Sequence, residues 1–363
     1  MSNKFKILFL ITMTTALAFG FAHLFVPGTS FERLHIFLFN LCSGGTIILY
    51  FTEGQENVSK KVMIFYCLAL LYAFCAFFEF YFVSILIAWT LCALVESIRR
   101  KHFSTFPSEF FQKEVTVSKK FHQASLLCLS IGLIISSIAI CNQEYFTIVS
   151  SPKLVLDTFF LGFSFPLSLI TMSVMFSMME KNATNFTDFF KTYCFWAING
   201  GVIIFFIFIL LQWSKMELVI SSVLFCTIGI ILYLYTRMSD KKQQKAFLTS
   251  GICFLILTAI TGIIDIALYY SPNKSFSEFI LRLHTITSLY GWNLSGLAVI
   301  CRFKDFPIRL HSGKVIALHW LIVIFLAPLA YYYKIFAIAA IVSYGVFLYI
   351  LFFSKGLEIS NND

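Results

Sequence analysis

Apolar residues in this chain do not alternate as in a half-buried strand, nor recur every third or fourth position as on a surface helix. They run on in blocks separated by short polar breaks, near residues 7 to 26, 34 to 52, 62 to 79, 80 to 96, 124 to 142, 154 to 179, 192 to 212, 217 to 236, 246 to 269, 279 to 301, 315 to 332 and 335 to 353. Each block approaches the ~20 residues an α-helix needs to cross hydrocarbon. The pattern predicts an all-α integral membrane protein of about twelve transmembrane helices, a single polytopic domain over residues 1–363. The least marked boundary lies inside Val62 to Val95, which we divide at Phe78-Glu79-Phe80 although neither Pro nor Gly signals a turn. In the sixth block, Gly162-Phe-Ser-Phe-Pro166 predicts a kink, because Pro166 has no N–H to give the preceding turn. The first block, Ile7 to Val26, is long enough to span and is expected to stay as a helix rather than be removed as a signal peptide.

Charge orients these helices. Cytoplasmic loops are enriched in Lys and Arg. With twelve crossings and both termini cytoplasmic, six of the 27 basic residues fall outside (Arg33, Lys153, Lys215, Lys274, Arg282 and Lys334) and the other 21 inside. One long helix over Val62 to Val95 would flip every later loop and weaken the division to 18 against 9. The hairpin is therefore preferred. The longest break, a basic cytoplasmic loop over residues 96–121 with Arg99, Arg100, Lys101, Lys113, Lys119 and Lys120, is expected to lie on the anionic inner leaflet. A platform for a protein partner is the second reading of that loop.

Composition agrees. Hydrophobic residues make up 59% of the chain and charged residues 12%, far from a water-soluble balance. The 45 Phe and 16 Tyr suit a lipid-facing surface with aromatic girdles. The net charge of +9 is spread over short breaks rather than gathered on one face, so it reads as a topology signal and not as a nucleic-acid site. Ten cysteines stand singly without metal-ligand spacing and read as small hydrophobes. No phosphate-binding loop, nucleophile elbow or H-E-x-x-H motif is present, so hydrolytic and nucleotide-driven chemistry has no support. The loops suit an inner (plasma) membrane of bacterial type.

Ionisable groups inside hydrocarbon are the default functional candidates. His23, His35 and His284 all fall toward the outer leaflet, each about 10 Å from the midpoint of its span. His35 is followed on its own face by Cys42 and Ser43, with Gly44 and Gly45 adjacent; His284 is followed by Ser288, Gly291 and Ser295. Neutral imidazoles on two helices, flanked by small residues, are what axial ligation of haem iron needs. Arg33 and Arg282, each two residues before its histidine, are placed to pair with propionates. The plainer reading is that such histidines hydrogen-bond across helices and such arginines snorkel. His102, His122, His311 and His319 look interfacial; His319 beside Trp320 reads as an inner-leaflet anchor, with a proton or quinone site as its alternative. Asp157 and Asp265 either orient a ligand histidine, carry protons or bond a neighbouring helix. Asn40, Asn199, Gln212 and Asn293 read as interhelical hydrogen-bonding groups.

Twelve spans with both ends inside, and histidines near the outer ends of helices two and ten, resemble the catalytic subunit of haem-copper oxidases (cytochrome oxidase subunit I-like). The resemblance implies that His35 and His284 hold a low-spin haem, with His23 as a spare ligand or supporting group. The family's copper-binding histidines on helices six and seven are missing here, and positions 282 and 286 beside His284 are Arg and Ile. What the resemblance leaves is electron transfer, sensing or assembly without oxygen reduction, with a quinone or a membrane protein as partner.

Two rival readings stand beside it. Twelve spans also suit a secondary transporter, for which Gly162 to Pro166 or Asn199-Gly-Gly201 would break a helix in mid-membrane. A non-catalytic membrane scaffold would use the same polar groups only for packing.

Overall fold

The computed structural model describes residues 1–27, 31–54, 58–148, 152–180, 185–240, 244–268, 274–303 and 312–354, with no strand among them. They form twelve long helices in chain order: α1 (Asn3–Leu24), α2 (Arg33–Glu53), α3 (Lys60–Phe77), α4 (Tyr81–His102), α5 (Val117–Phe146), α6 (Pro152–Ser177), α7 (Asn185–Leu211), α8 (Ser214–Met238), α9 (Gln244–Leu268), α10 (residues 274–301), α11 (Gly313–Ala330) and α12 (Lys334–Phe353). Ten of them are long and apolar enough to cross a membrane; α6 and α10 are the other two. The chain is a multi-pass, all-helical membrane protein.

Burial sorts the helices into layers. Buried residues make up 89% of the apolar window of α2, against 22% for α7 and 28% for α8 and α9. Hence α2 is the central helix, touching α1, α3 and α6, while α7, α8 and α9 pack in sequence at the lipid-facing rim. Alternation of direction puts the start of α1 and the end of α12 on one side of the bundle, here the terminal side; the start of α2 and of α10 lie on the far side.

The hairpin at Phe78-Glu79-Phe80 is present. Helix α3 ends at Phe77, Glu79 takes a left-handed backbone (φ 62°), and the Phe80 N–H donates back to the Cys75 carbonyl over 2.8 Å. This six-to-one bond around a left-handed residue closes a helix end that usually carries glycine. A left-handed Glu costs about 1–2 kcal/mol, and a glycine loses about 0.5–1 kcal/mol of that gain to chain entropy. Glu79→Gly is therefore expected to raise the unfolding temperature in detergent by the equivalent of about 0.5–1 kcal/mol; a lower temperature would contradict the strained turn.

The basic loop is folded rather than spread. Arg99, 3% exposed, makes a bidentate pair with Glu96 (2.7 and 2.9 Å) and donates to the carbonyls of Ser104 and Thr105. Arg100 also pairs with Glu96, Lys119 pairs with Glu109, and Lys120 is buried. Buried charges are stable only when paired in this way. The segment is thus a strap tied to α4 and α5, with Lys101 and Lys113 left exposed.

Close approach of α5 and α6 rests on two glycines. A Cβ on Gly132 would lie 2.5 Å from the Gly162 carbonyl oxygen and 2.7 Å from its Cα. That carbonyl is the one whose usual helical donor is missing, because the residue four later is Pro166. Its oxygen faces the Gly132 Cα, a weak but recurrent contact where helix backbones meet. Helix α6 runs on through Pro166, and α7 runs through Asn199-Gly200-Gly201 without a break, with Gly201 packed on Leu224 and Asn199 bonded to its own helix at Phe195. Neither segment breaks its helix.

Candidate functional site

Three helices lose their regular winding just after a histidine. In α2 a π-helical stretch covers Phe37–Gly45, two residues beyond His35; in α10 it covers Thr287–Asn293, three beyond His284; in α11 it covers Leu321–Leu326, two beyond His319. A π-turn leaves carbonyls without their normal donors and is found disproportionately at functional sites.

His35 and His284 sit in seats built alike. The Nδ1 of His35 lies 2.9 Å from the Ala16 carbonyl on α1, and the Nδ1 of His284 lies 2.8 Å from the Thr258 carbonyl on α9. Each carbonyl belongs to the helix immediately before in the chain. Each is followed four residues later by a glycine, Gly20 or Gly262, against which the imidazole lies flat enough that a Cβ would meet it at 2.8 and 3.1 Å. A carbonyl can only accept, so His284 carries its proton on Nδ1 and presents the lone pair of Nε2. Outward Nε2 with Nδ1 anchored to a carbonyl is the arrangement in which histidines bind metals.

The two seats differ in one neighbour. Tyr290 stands six residues beyond His284, and long helical side chains lean toward their own N-terminus, which for α10 is the far side. Its hydroxyl thus reaches His35, 2.8 Å from Nδ1 and 3.4 Å from Nε2. The Tyr290 ring also packs edge-on against Phe39 and Tyr344. The Tyr344 hydroxyl is buried without a hydrogen-bond partner.

His319 is not an interfacial anchor. It is fully buried, stacked between Phe347 (4.6 Å) and Phe247 (5.7 Å), and its Nε2–H donates to the Tyr290 carbonyl over 2.6 Å. That carbonyl lies in the π-stretch of α10, which explains why it can take a side-chain donor. The Nδ1 lone pair of His319 has no partner. Trp320, by contrast, bonds Ser250 on α9. The sequence signal that missed this was position: eleven residues of α11 beyond His319 left it near one end of its span, and only the packing of α9, α10 and α12 shows it enclosed.

The remaining candidates separate. Arg33 donates to the Ala76 carbonyl at the end of α3. Arg282 pairs with Glu278 and lies 4.8 Å over the Tyr331 ring, and the exposed His23 stacks on that same ring at 5.9 Å. The structure therefore brings His23 to Arg282 and Tyr331, not to His35 or His284. Asp265 accepts from Ser277 and shares the α9 face that carries Thr258 and Gly262. His122 bonds Thr52 and stacks on Phe51, tying α5 to α2. Among the asparagines, Asn293 is an interhelical group, bonded to Ser164 and Ser168 on α6, whereas both amide atoms of Asn40 are buried without partners. Gln212 forms the left-handed turn between α7 and α8 instead of an interhelical bond. His311 and the side chain of Asp157 lie outside the described residues.

A group of three or more His, Cys, Asp or Glu side chains able to hold a bare metal ion does not occur among the described residues. The donors that remain are single imidazoles on separate helices, His35 on α2 and His284 on α10. No family model, curated protein or solved structure matches the chain.

Proposed function

We propose that this chain crosses a bacterial-type inner membrane twelve times with both ends in the cytoplasm, and that α2 and α10 hold one low-spin haem through Nε2 of His35 and His284. The observation that carries the reading is the matched pair of seats: anchored Nδ1, glycine floor and following π-turn occur at both histidines. Such a haem supplies reversible one-electron chemistry.

The chain's own residues do the rest. The Thr258 carbonyl fixes the His284 ring and the Ala16 carbonyl would do the same for His35 once its Nδ1 is protonated, while Gly20 and Gly262 leave the space in which the rings lie. Arg33 and Arg282 stand on the same side of the bundle and are the cations nearest in sequence to the two histidines. Without histidine on α6 or α7 there is no copper-binding set of the oxidase kind, so the reading is electron transfer, redox or gas sensing, or assembly, without oxygen reduction. A lipid-soluble quinone or another membrane protein is the partner this chemistry calls for.

The test is optical. Protein purified from haem-replete cells is expected to show a Soret band that is lost or converted to a high-spin form in His35→Ala and in His284→Ala, while His122→Ala keeps it. An unchanged spectrum in either ligand variant would remove that histidine from the site. Reporter fusions placing the Arg99 to Lys120 segment outside the cell would overturn the orientation.

A further inference from the structure

His35 has one ring nitrogen claimed by two groups. Its Nδ1 lies 2.9 Å from the Ala16 carbonyl and 2.8 Å from the Tyr290 hydroxyl. An imidazole nitrogen offers either one N–H or one lone pair in that direction, so the two contacts are alternatives. With the proton on Nδ1, the ring donates to Ala16 and Nε2 keeps its lone pair, with only the longer 3.4 Å contact to the Tyr290 hydroxyl. With the proton on Nε2, Nδ1 accepts from Tyr290 and the nitrogen that would bind a metal is blocked.

Which alternative holds in the metal-free chain follows from the needs of the partners. The Ala16 carbonyl lies inside α1, where the Gly20 N–H already serves it through the ordinary four-residue bond. The Tyr290 hydroxyl is fully buried, and its hydrogen-bond contacts are the two nitrogens of His35. Donating to Nδ1 at 2.8 Å serves this buried hydroxyl better than the 3.4 Å contact to Nε2, and a poorly served buried hydroxyl incurs part of the cost of an unmet one, about 1–3 kcal/mol, whereas Ala16 loses little. The balance favours the Tyr290 O–H donating to Nδ1. His284 has no such competitor among the described residues: its Nδ1 lies 2.8 Å from the Thr258 carbonyl, which leaves the lone pair on Nε2.

We propose that Tyr290 is the positioning residue that controls His35, holding Nε2, the nitrogen that would bind a metal, in its protonated form, so that ligation by His35 would require its ring proton to move to Nδ1 while His284 would ligate as it stands. The proposal rests on the haem reading for the identity of that metal. In the change of state the ring's one proton leaves Nε2 and appears on Nδ1, where it donates to Ala16, and the Tyr290 O–H turns away. Imidazole and phenol are neutral before and after, and nothing is oxidised. The ring next to Tyr290 belongs to Tyr344, whose unpartnered hydroxyl offers the released phenol a neighbouring acceptor. The two histidines thus have different roles: His284 is a standing ligand and His35 a conditional one.

The deciding measurement is nitrogen NMR of the full chain labelled with 15N-histidine, purified without haem, with His35 assigned by comparison with His35→Gln. The expected result is His35 protonated on Nε2 and His284 on Nδ1. In Tyr290→Phe, which keeps the ring and its packing, the His35 proton moves to Nδ1; in Tyr344→Phe it stays on Nε2. A His35 already protonated on Nδ1 in the unaltered chain, or one indifferent to Tyr290→Phe, overturns the proposal. Titration with haem gives a second readout. The unaltered chain is expected to pass through a five-coordinate, high-spin stage that Tyr290→Phe skips, and identical one-step binding in both also counts against it. If haem does not bind at all, the haem reading fails while the proton positions still decide the role of Tyr290.

Discussion

Gly132→Leu is expected to prevent accumulation of folded protein. At this position the obstruction is backbone: the added carbon would lie 2.5 Å from the carbonyl oxygen and 2.7 Å from the Cα of Gly162, and neither atom can swing aside as a side-chain tip can. Relief requires α5 and α6 to separate along a contact that also includes the Ser118 and Ser173 exchange of hydroxyl-to-carbonyl bonds, both 2.9 Å, and the Ser125 bond to the Pro166 carbonyl. Overpacking alone costs about 3 kcal/mol or more when backbones must shift, and each lost hydrogen bond adds about 1 kcal/mol. Together these rival the whole stability of a typical domain. Size-exclusion profiles in mild detergent should show aggregate for Gly132→Leu and an intact peak for Gly200→Leu, whose Cβ meets nothing within 4 Å. A monodisperse Gly132→Leu protein would refute the α5–α6 contact.

The second large effect concerns the floors of the histidine seats. At Gly20 even a methyl group would stand 2.8 Å from Nδ1 of His35, and at Gly262 it would stand 3.1 Å from the His284 ring. Gly20→Ala should therefore displace His35, and the bulkier Gly262→Leu should expel His284 from its Thr258 carbonyl. Both glycines lie on the helix opposite the histidine, so no ligand atom is removed. Misorienting a ligand through its support typically weakens metal affinity about 10–100-fold. Haem retention through purification is expected to fall by about that factor in both variants, with the helical circular dichroism and the elution volume unchanged. Full haem content in Gly262→Leu would show that His284 is not seated for ligation.

Much of the fold could be read from the chain, because hydrocarbon leaves few choices: each apolar block became a helix. The Phe78-Glu79-Phe80 turn was legible through charge alone, since no turn residue marks it and a left-handed Glu is not something local sequence announces. Block boundaries shifted where polar ends continue the winding. Helix α1 begins at Asn3, four residues before the apolar run, and α4 carries on through Arg99 and Arg100 to His102 because Glu96 pairs with both arginines. The histidines were visible as costly groups in an apolar setting, but depth along a helix says nothing about azimuth. That limit explains why His23, at a similar depth to His35, faces Tyr331, and why His319 is enclosed by phenylalanines of α9 and α12. Tyr290 carried no signal at all among 16 tyrosines. Its importance comes from the π-stretch of α10, which turns its hydroxyl to His35 and its carbonyl to His319 at once.

The account stands most directly on the electronic state of one iron. Full-length protein purified from haem-replete cells, quantified for haem per chain and examined by low-temperature electron paramagnetic resonance, is expected to contain one low-spin ferric haem with two imidazole ligands. Colourless protein, or a high-spin signal unaffected by His284→Ala, would contradict it.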